Sequence, residues 1–336
     1  MATPLDGIDV VLADLDGVVY AGPHAIPHAV ESLNRAAQRV RVGYVTNNAS
    51  RTDESVAEHL RDLGLNVVTN DVVTSPQAAM ALLRDLAPAG STILVIGGEG
   101  LTSEVSKAGF VVTDSALDKP AAVIQGFSPD LGWAHLAEAS FALNAREPGA
   151  SEGIPWIATN MDWTIPVARG VAPGNGTLVS AVHLAVGRLP VVAGKPELPI
   201  FEEAKRRFAT DNMLFIGDRL DTDIKGADAA GMKSALVLTG IDHAKQALAA
   251  PPGSRPTYLL DDLRQLHEPY PETVTHPDGS VSVGEAHVVK RGMELVVVRE
   301  GTHPLDAVRA ACTLIWDSGL AIYGFTVPER LHAYGM

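Results

Sequence analysis

The chain has a single cysteine, Cys312, among 336 residues. No intramolecular disulfide can form, and a thiolate-held structural zinc is excluded with it. Cys312 therefore reads as a small apolar residue in a helix. Basic residues are scarce as well: 26 Lys and Arg stand against 40 Asp and Glu, a formal net charge of −14. No basic cluster is dense enough to follow a phosphate backbone, so nucleic acid is not an expected partner. Aromatic residues make up only 5%, and no apolar run is long enough to span a membrane, so no membrane partner is expected. The opening Met1-Ala2-Thr3-Pro4-Leu5-Asp6 lacks the basic and apolar regions of a secretion signal; the expected location is a reducing cytoplasm. No His-Glu-x-x-His occurs. Gly194-Lys195 lacks the following Ser or Thr of a nucleotide phosphate loop, and Gly97-Gly98-Glu99-Gly100 has Ser103 where a dinucleotide fold needs its third glycine.

What remains is 46% apolar material, arranged as short apolar runs alternating with helical periodicity. That is the pattern of parallel sheets with crossover helices. Core strands are expected at 10–13, 42–46, 66–68, 213–216 and 234–237. Helices are expected at 29–40 and after Ser50 or Thr52, the latter stopped by Gly64. A second α/β unit is expected over 88–190, with strands at 92–96, 121–125 and 156–158 and helices near 101–108, 131–143 and 178–186. This predicts a Rossmann-like core, 1–87 and 191–268, with an α/β cap inserted at 88–190. The tail, 270–336, predicts a small ββαβ module: a turn at Asp278-Gly279, strands at 287–289 and 295–298, a helix at 304–317 and a strand at 321–324. Such a piece is too small to stand alone and should pack on the body or on a second subunit.

Four segments carry chemistry, each after an expected strand. Asp14-Leu15-Asp16-Gly17 sets two carboxylates in one small volume at a strand end, an arrangement that needs a metal or a proton to offset its repulsion. Thr46-Asn47-Asn48 offers a hydroxyl, amides and backbone donors for an oxyanion; Asn48 suits either that or a helix cap. Lys195, held before Pro196, is a compact cation at a chain bend. Gly217-Asp218-Arg219-Leu220-Asp221-Thr222-Asp223 crowds three carboxylates after a strand, a density suited to a hard divalent cation. A calcium loop counted from Asp221 fails, because Lys225 occupies a ligand place and Met232 the closing position.

Together these are the parts of a phosphoryl-transfer site. Asp14 is the expected nucleophile and Asp16 the general acid and base, with Thr46 and Lys195 steadying the phosphoryl oxygens. Mg²⁺ is expected on Asp14, Asp218 and the backbone carbonyl of Asp16. Asp223 is expected either to orient a metal-bound water or to hold Lys195. In the inserted unit, Asn160 and Asp162 are candidate contacts for a small hydroxylated leaving group; the other expected substrate contacts are Thr46, Asn47, Asn48 and Lys195. The carboxylate of Asp162 disfavours a substrate that carries its own carboxylate, which favours glycerol 3-phosphate over phosphoglycolate. Trp133, Trp156 and Trp163 are expected to pack, and His183 to be a satisfied helix histidine.

These motifs, in this order, resemble the haloacid-dehalogenase-like phosphatases: Asp14-Leu15-Asp16-Gly17, Thr46-Asn47, Lys195-Pro196 and the Gly217–Asp223 run. The insert between the second and third motifs is similar to the branch with a C2-type α/β cap, as are Gly98-Glu99-Gly100-Leu101 and Ala158-Thr159-Asn160-Met161-Asp162. The resemblance implies a Mg²⁺-dependent phosphatase working through an aspartyl phosphate on a small phosphorylated metabolite, often a homodimer through the cap. Its branch includes phosphatases of glycerol phosphate, phosphoglycolate, pyridoxal phosphate and nitrophenyl phosphate; sugar and nucleotide phosphates are further alternatives. Rival readings are a phosphotransferase and a non-catalytic phosphometabolite-binding or assembly protein. Residues beyond about 270 lie outside the resemblance.

Overall fold

The computed structural model describes residues 2–144, 153–167 and 169–335. It divides into two compact units, Met1–Gly43 with Thr210–Met336, and Tyr44–Ala209. Among the described residues no helix is long and apolar enough to cross a membrane.

In the first unit, Val10–Ala13 pairs in parallel with Met213–Gly217, in register from Val10 opposite Met213 to Ala13 opposite Ile216. Lys233–Val237 and then Tyr258–Leu260 extend the sheet on the far side of Met213–Gly217. Every residue of the first two strands is buried. Hence they appear in the sequence as unbroken apolar runs rather than alternations. The first helix, Ala29–Ala36, stops short of the expected residue 40. Its end tightens into short turns, with the amides of Gln38 and Arg39 donating to the carbonyls of Arg35 and Ala36.

The tail belongs to this unit. Thr273–Thr275, Val281–Val283, Ala286–Arg291 and Glu294–Arg299 form an antiparallel sheet in that order. Gly279, with φ 78°, makes the turn after Asp278. The helix Pro304–Asp317 packs on the sheet. The strand expected at 321–324 is instead a single 3₁₀ turn, Ile322–Gly324. Ile322 packs against the core while Tyr323 is 97% exposed, so the turn anchors by one residue rather than by a strand face. The module is therefore four strands followed by a helix, not ββαβ. Val281, Val283, Val288, Leu305 and Ile315 join Leu220, Ile224, Leu236, Leu248 and Leu259 in one continuous core. Cys312 is buried in it, and burial pushes its thiol pKa up, as suits an inert apolar residue.

In the second unit, Tyr44–Thr46 pairs in parallel with Val72–Thr74. Thr52 caps the intervening helix Asp53–Asp62 by accepting the Ser55 amide at 3.2 Å, and Gly64 follows its end with φ 99°. No strand forms at 66–68. Val67 is buried but Val68 is 60% exposed, and the Asp71 carboxylate accepts the Val68 amide to start a 3₁₀ turn. The strand comes one turn later, at the fully buried Val72–Thr74.

A five-stranded parallel sheet follows, ordered Val191–Val192, Trp156–Ala158, Ala122–Gln125, Thr92–Ile96 and Val111–Thr113. The helices Trp133–Asn144 and Asn175–Val186 close an apolar core over it with Leu94, Val123, Trp156 and Val179. An antiparallel hairpin, Thr164–Val167 with Gly170–Pro173, went unread in the sequence because each strand carries a proline. Trp156 packs as expected, but Trp133 and Trp163 are 81% and 62% exposed. Trp133 opens its helix, and Trp163 precedes the hairpin, so neither faces the core. His183 is satisfied, its Nδ1 lying 2.9 Å from the Arg188 carbonyl.

Candidate functional site

The functional side chains gather at strand ends, one group in each unit. In the first unit the strand Val10–Ala13 runs out at Asp14, whose amide donates to the Ile216 carbonyl at 2.8 Å. Met213–Gly217 likewise runs out at Asp218. Carboxylate oxygens of Asp14, Asp218 and Asp223 lie within 4.8 Å of one another, and all three residues are buried. Such burial of like charge is costly unless a cation shares the volume. Oxygens bound about 2.1 Å from Mg²⁺ or 2.4 Å from Ca²⁺ span roughly 4–5 Å across the ion. The donor set therefore fits a hard divalent cation.

The backbone is shaped around these carboxylates. Asp218 Oδ2 accepts the Ile241 amide at 2.8 Å, and the Asp218 carbonyl accepts the Asp242 amide. Asp223 Oδ2 accepts the amides of Asp218 and Arg219 at 3.2 and 3.1 Å. Three glycines permit this approach. A Cβ on Gly17 or Gly240 would strike the Asp218 carboxylate, and one on Gly217 would strike Asp223. Gly17 also has φ 81°, and its carbonyl accepts the Thr239 hydroxyl at 2.7 Å. Asp16, in contrast, is exposed. Asp221 turns outward to the Arg219 fork, which outweighs its partial burial and holds its carboxyl below the usual range. Burial raises the carboxyl of Asp242, which accepts the Leu220 amide at 2.7 Å.

In the second unit the end of the strand Arg41–Thr46 delivers Thr46 and Asn47, both buried. The Thr46 hydroxyl accepts the Asn48 amide at 3.1 Å. The Asn47 side chain is committed to the protein: Oδ1 accepts the Lys195 amide at 2.8 Å, while Nδ2 donates to the Lys195 carbonyl at 3.1 Å and to Asp162 Oδ1 at 3.2 Å. Both polar atoms of the side chain are therefore engaged within the protein. Asn48 Oδ1 accepts the amides of Ser50 and Arg51, forming a turn ahead of the helix that Thr52 caps. Asn160 Nδ2 donates to the Asn47 carbonyl at 2.7 Å, and its Oδ1 accepts the Asp162 amide. Lys195 is only 4% exposed.

Sequence reasoning placed Asn47, Asn160, Asp162 and Lys195 in a functional list, and the fold brings these four together. It missed Ser75, whose hydroxyl donates to the Asn47 carbonyl at 2.8 Å. It also missed Asn175, whose Nδ2 donates to the Asn160 carbonyl at 2.8 Å. The glycines on either side of Asn175 were the available signal for a close backbone approach.

Two α/β units bearing a buried three-carboxylate cation site and a lysine clamped among amides define a hydrolase of the metal-assisted kind. The chain belongs to the haloacid dehalogenase-like hydrolases, in the phosphatase branch with a C2-type cap. Residues 11–111 match the family model of the haloacid dehalogenase-like hydrolases, and residues 192–266 match a second model of the same group. A D-glycerol 3-phosphate phosphatase of Mycobacterium tuberculosis is 41% identical over 319 residues, 93% of this chain and 87% of its own length. A crystal structure of glycerol phosphate phosphatase from that organism, in complex with magnesium, superposes with a TM-score of 0.83 at 39% identity, covering 94% of this chain and 93% of the other. An acid sugar phosphatase of Staphylococcus aureus is 32% identical over 76% of this chain and 95% of its own.

Proposed function

We propose that the chain is a Mg²⁺-dependent phosphomonoester hydrolase acting on a small polyol phosphate, glycerol 3-phosphate foremost. The observation that carries this reading is the buried convergence of Asp14, Asp218 and Asp223. Its support is the similarity to the M. tuberculosis phosphatase along nearly the whole chain.

Asp14, at its strand end, is the nucleophile. Its carboxylate oxygen bonds to phosphorus while the ester P–O bond breaks, and the electron pair leaves with the alcohol oxygen. The exposed Asp16 supplies the proton to that oxygen. Asp16 then takes a proton from water, whose oxygen attacks phosphorus and releases phosphate and Asp14. Thr46, the Asn47 backbone and Lys195 steady the phosphoryl oxygens. Asp14, Asp218 and the Asp16 carbonyl would hold Mg²⁺, which would supply positive charge to offset that of the phosphate. Asp223 orients this set. Residues 1–87 with 191–268 act as the catalytic core and 88–190 as the substrate-selecting cap, with Asp162 turning away substrates that bear their own carboxylate.

Free phosphate release should be measured from glycerol 3-phosphate, phosphoglycolate, sugar phosphates and pyridoxal phosphate, with Mg²⁺ and with EDTA, and without an added acceptor alcohol. The expected result is Mg²⁺-dependent release, fastest from the polyol phosphate and abolished in Asp14→Asn. Preference for a carboxylated ester would overturn the substrate, and a fully active D14N the nucleophile. We further propose a homodimer through the second unit, whose packed helices Trp133–Asn144 and Asn175–Val186 carry the exposed Trp133, Phe141 and Leu184. Sedimentation at two concentrations tests it.

A further inference from the structure

We propose that Asn175 and Asn160 are positioning residues for Lys195, acting through Asn47. The proposal rests on the phosphoryl-transfer reading above. Three buried amides form a file within the unit Tyr44–Ala209. Asn175, the first residue of the helix Asn175–Val186, donates from Nδ2 to the Asn160 carbonyl at 2.8 Å. Asn160 donates from Nδ2 to the Asn47 carbonyl at 2.7 Å. Asn47 then grips both backbone groups of Lys195. Each link joins a side chain to the main chain of the next residue, so each amide sets where the next backbone lies. A lysine head group inherits its position from its backbone, and reacting groups tolerate little misplacement.

Packing alone does not account for Asn175. It is 1% exposed, and its Oδ1 has no hydrogen-bond partner. A leucine, with the same branched shape, would bury no unpaired acceptor at this position. The local backbone is also cleared for the bond that Nδ2 makes. A Cβ on Gly174 or Gly176 would strike the carbonyls of Asp162 or Met161, and one on Gly194 would strike Asn47 Oδ1. Asn47 Nδ2 is shared between the Lys195 carbonyl and Asp162 Oδ1. One amide thereby joins the proposed leaving-group contact to the proposed phosphoryl contact.

The test uses the full chain with Mg²⁺ and two esters, glycerol 3-phosphate and p-nitrophenyl phosphate, the second having no polyol to recognise. Asn175→Leu is expected to lower kcat about tenfold or more on both esters, with a smaller change in KM. The double variant N47A/N175L should be no slower than N47A, because both act along one file. Asn160→Ala, which removes the middle link, should behave as N175L does and covers the case of poor folding. A kcat of N175L and N160A within about twofold of wild type overturns the proposal, as does a double variant whose losses multiply. A wild-type chain that hydrolyses neither ester sinks the phosphatase reading and this proposal with it. An active wild type with indifferent variants sinks this proposal alone.

Discussion

The Asn47 side chain holds both backbone polar groups of Lys195, Oδ1 accepting the amide at 2.8 Å and Nδ2 donating to the carbonyl at 3.1 Å. The two residues are 148 positions apart in sequence, yet one amide plane sets the backbone of the other. Asn47→Ala would leave a buried donor and a buried acceptor unpaired, a loss of roughly 2–4 kcal/mol. Thermal unfolding should show a Tm lower by several degrees, and kcat/KM should fall about 100-fold as Lys195 shifts. An unchanged Tm would mean that water replaces both bonds.

Gly240 separates crowding from backbone strain. It does not share the left-handed backbone of Gly17, yet a Cβ on it would also strike the Asp218 carboxylate. Gly240→Ala should displace Asp218 and weaken Mg²⁺ binding by about tenfold or more, with the fold retained. Calorimetric titration of Mg²⁺ into wild type and G240A reads this directly, and equal affinities would refute it.

Arg309 ties the tail to the first unit. Its guanidinium donates to the Leu259 carbonyl from Nε and Nη2, to Asp306 at 2.7 Å, and to Gln265, and it lies 4.6 Å from the centre of the Tyr270 ring. Arg309→Leu would strand the Asp306 carboxylate in the core, costing about 3–5 kcal/mol. Replacing both, as R309L/D306L, should recover much of that loss in urea unfolding. Truncation near Tyr270 would uncover the core shared with Leu220 and Leu259. The shortened chain should aggregate rather than persist as an active core.

His267 makes stability depend on pH. Its Nε2 lies 2.9 Å from the Ser32 carbonyl, fixing the proton there, and Nδ1 is buried without a partner. Burial lowers its pKa below the usual 6.5. As pH falls, the unfolded chain binds the proton first, so stability drops from above pH 6.5 until the folded pKa is passed, and is level below it. His267→Gln should remove this slope from a series of urea midpoints at different pH values. A slope unchanged in H267Q would assign it to other groups.

Where a structural cause was local, it could be read in advance. Val10–Ala13 and Met213–Gly217 announced themselves because strands covered on both faces are apolar throughout, and Asp14 and Asp218 followed because carboxylates end such strands. The helix Pro304–Asp317 was legible from its proline at the first turn. The expectations failed where a partner decided. Residues 66–68 and 321–324 look like strands, but 3₁₀ turns at Thr69–Asp71 and Ile322–Gly324 take their place in the fold, and the hairpin at 164–173 pairs despite its prolines.

The site divides the same way. Residue type and position after a strand were enough to nominate Asp14, Asp218, Asp223, Thr46 and Lys195 as phosphoryl-transfer groups. Those properties are carried by neighbouring residues and need no distant partner. Whether Asn47 offers its amide to a substrate or spends it on Lys195, whether Asp223 joins the carboxylate cluster, and whether the tail stands apart or shares a core were settled only by folding. Each depends on hydrogen bonds or packing between residues tens to hundreds of positions apart, and such contacts leave no periodic trace in the chain.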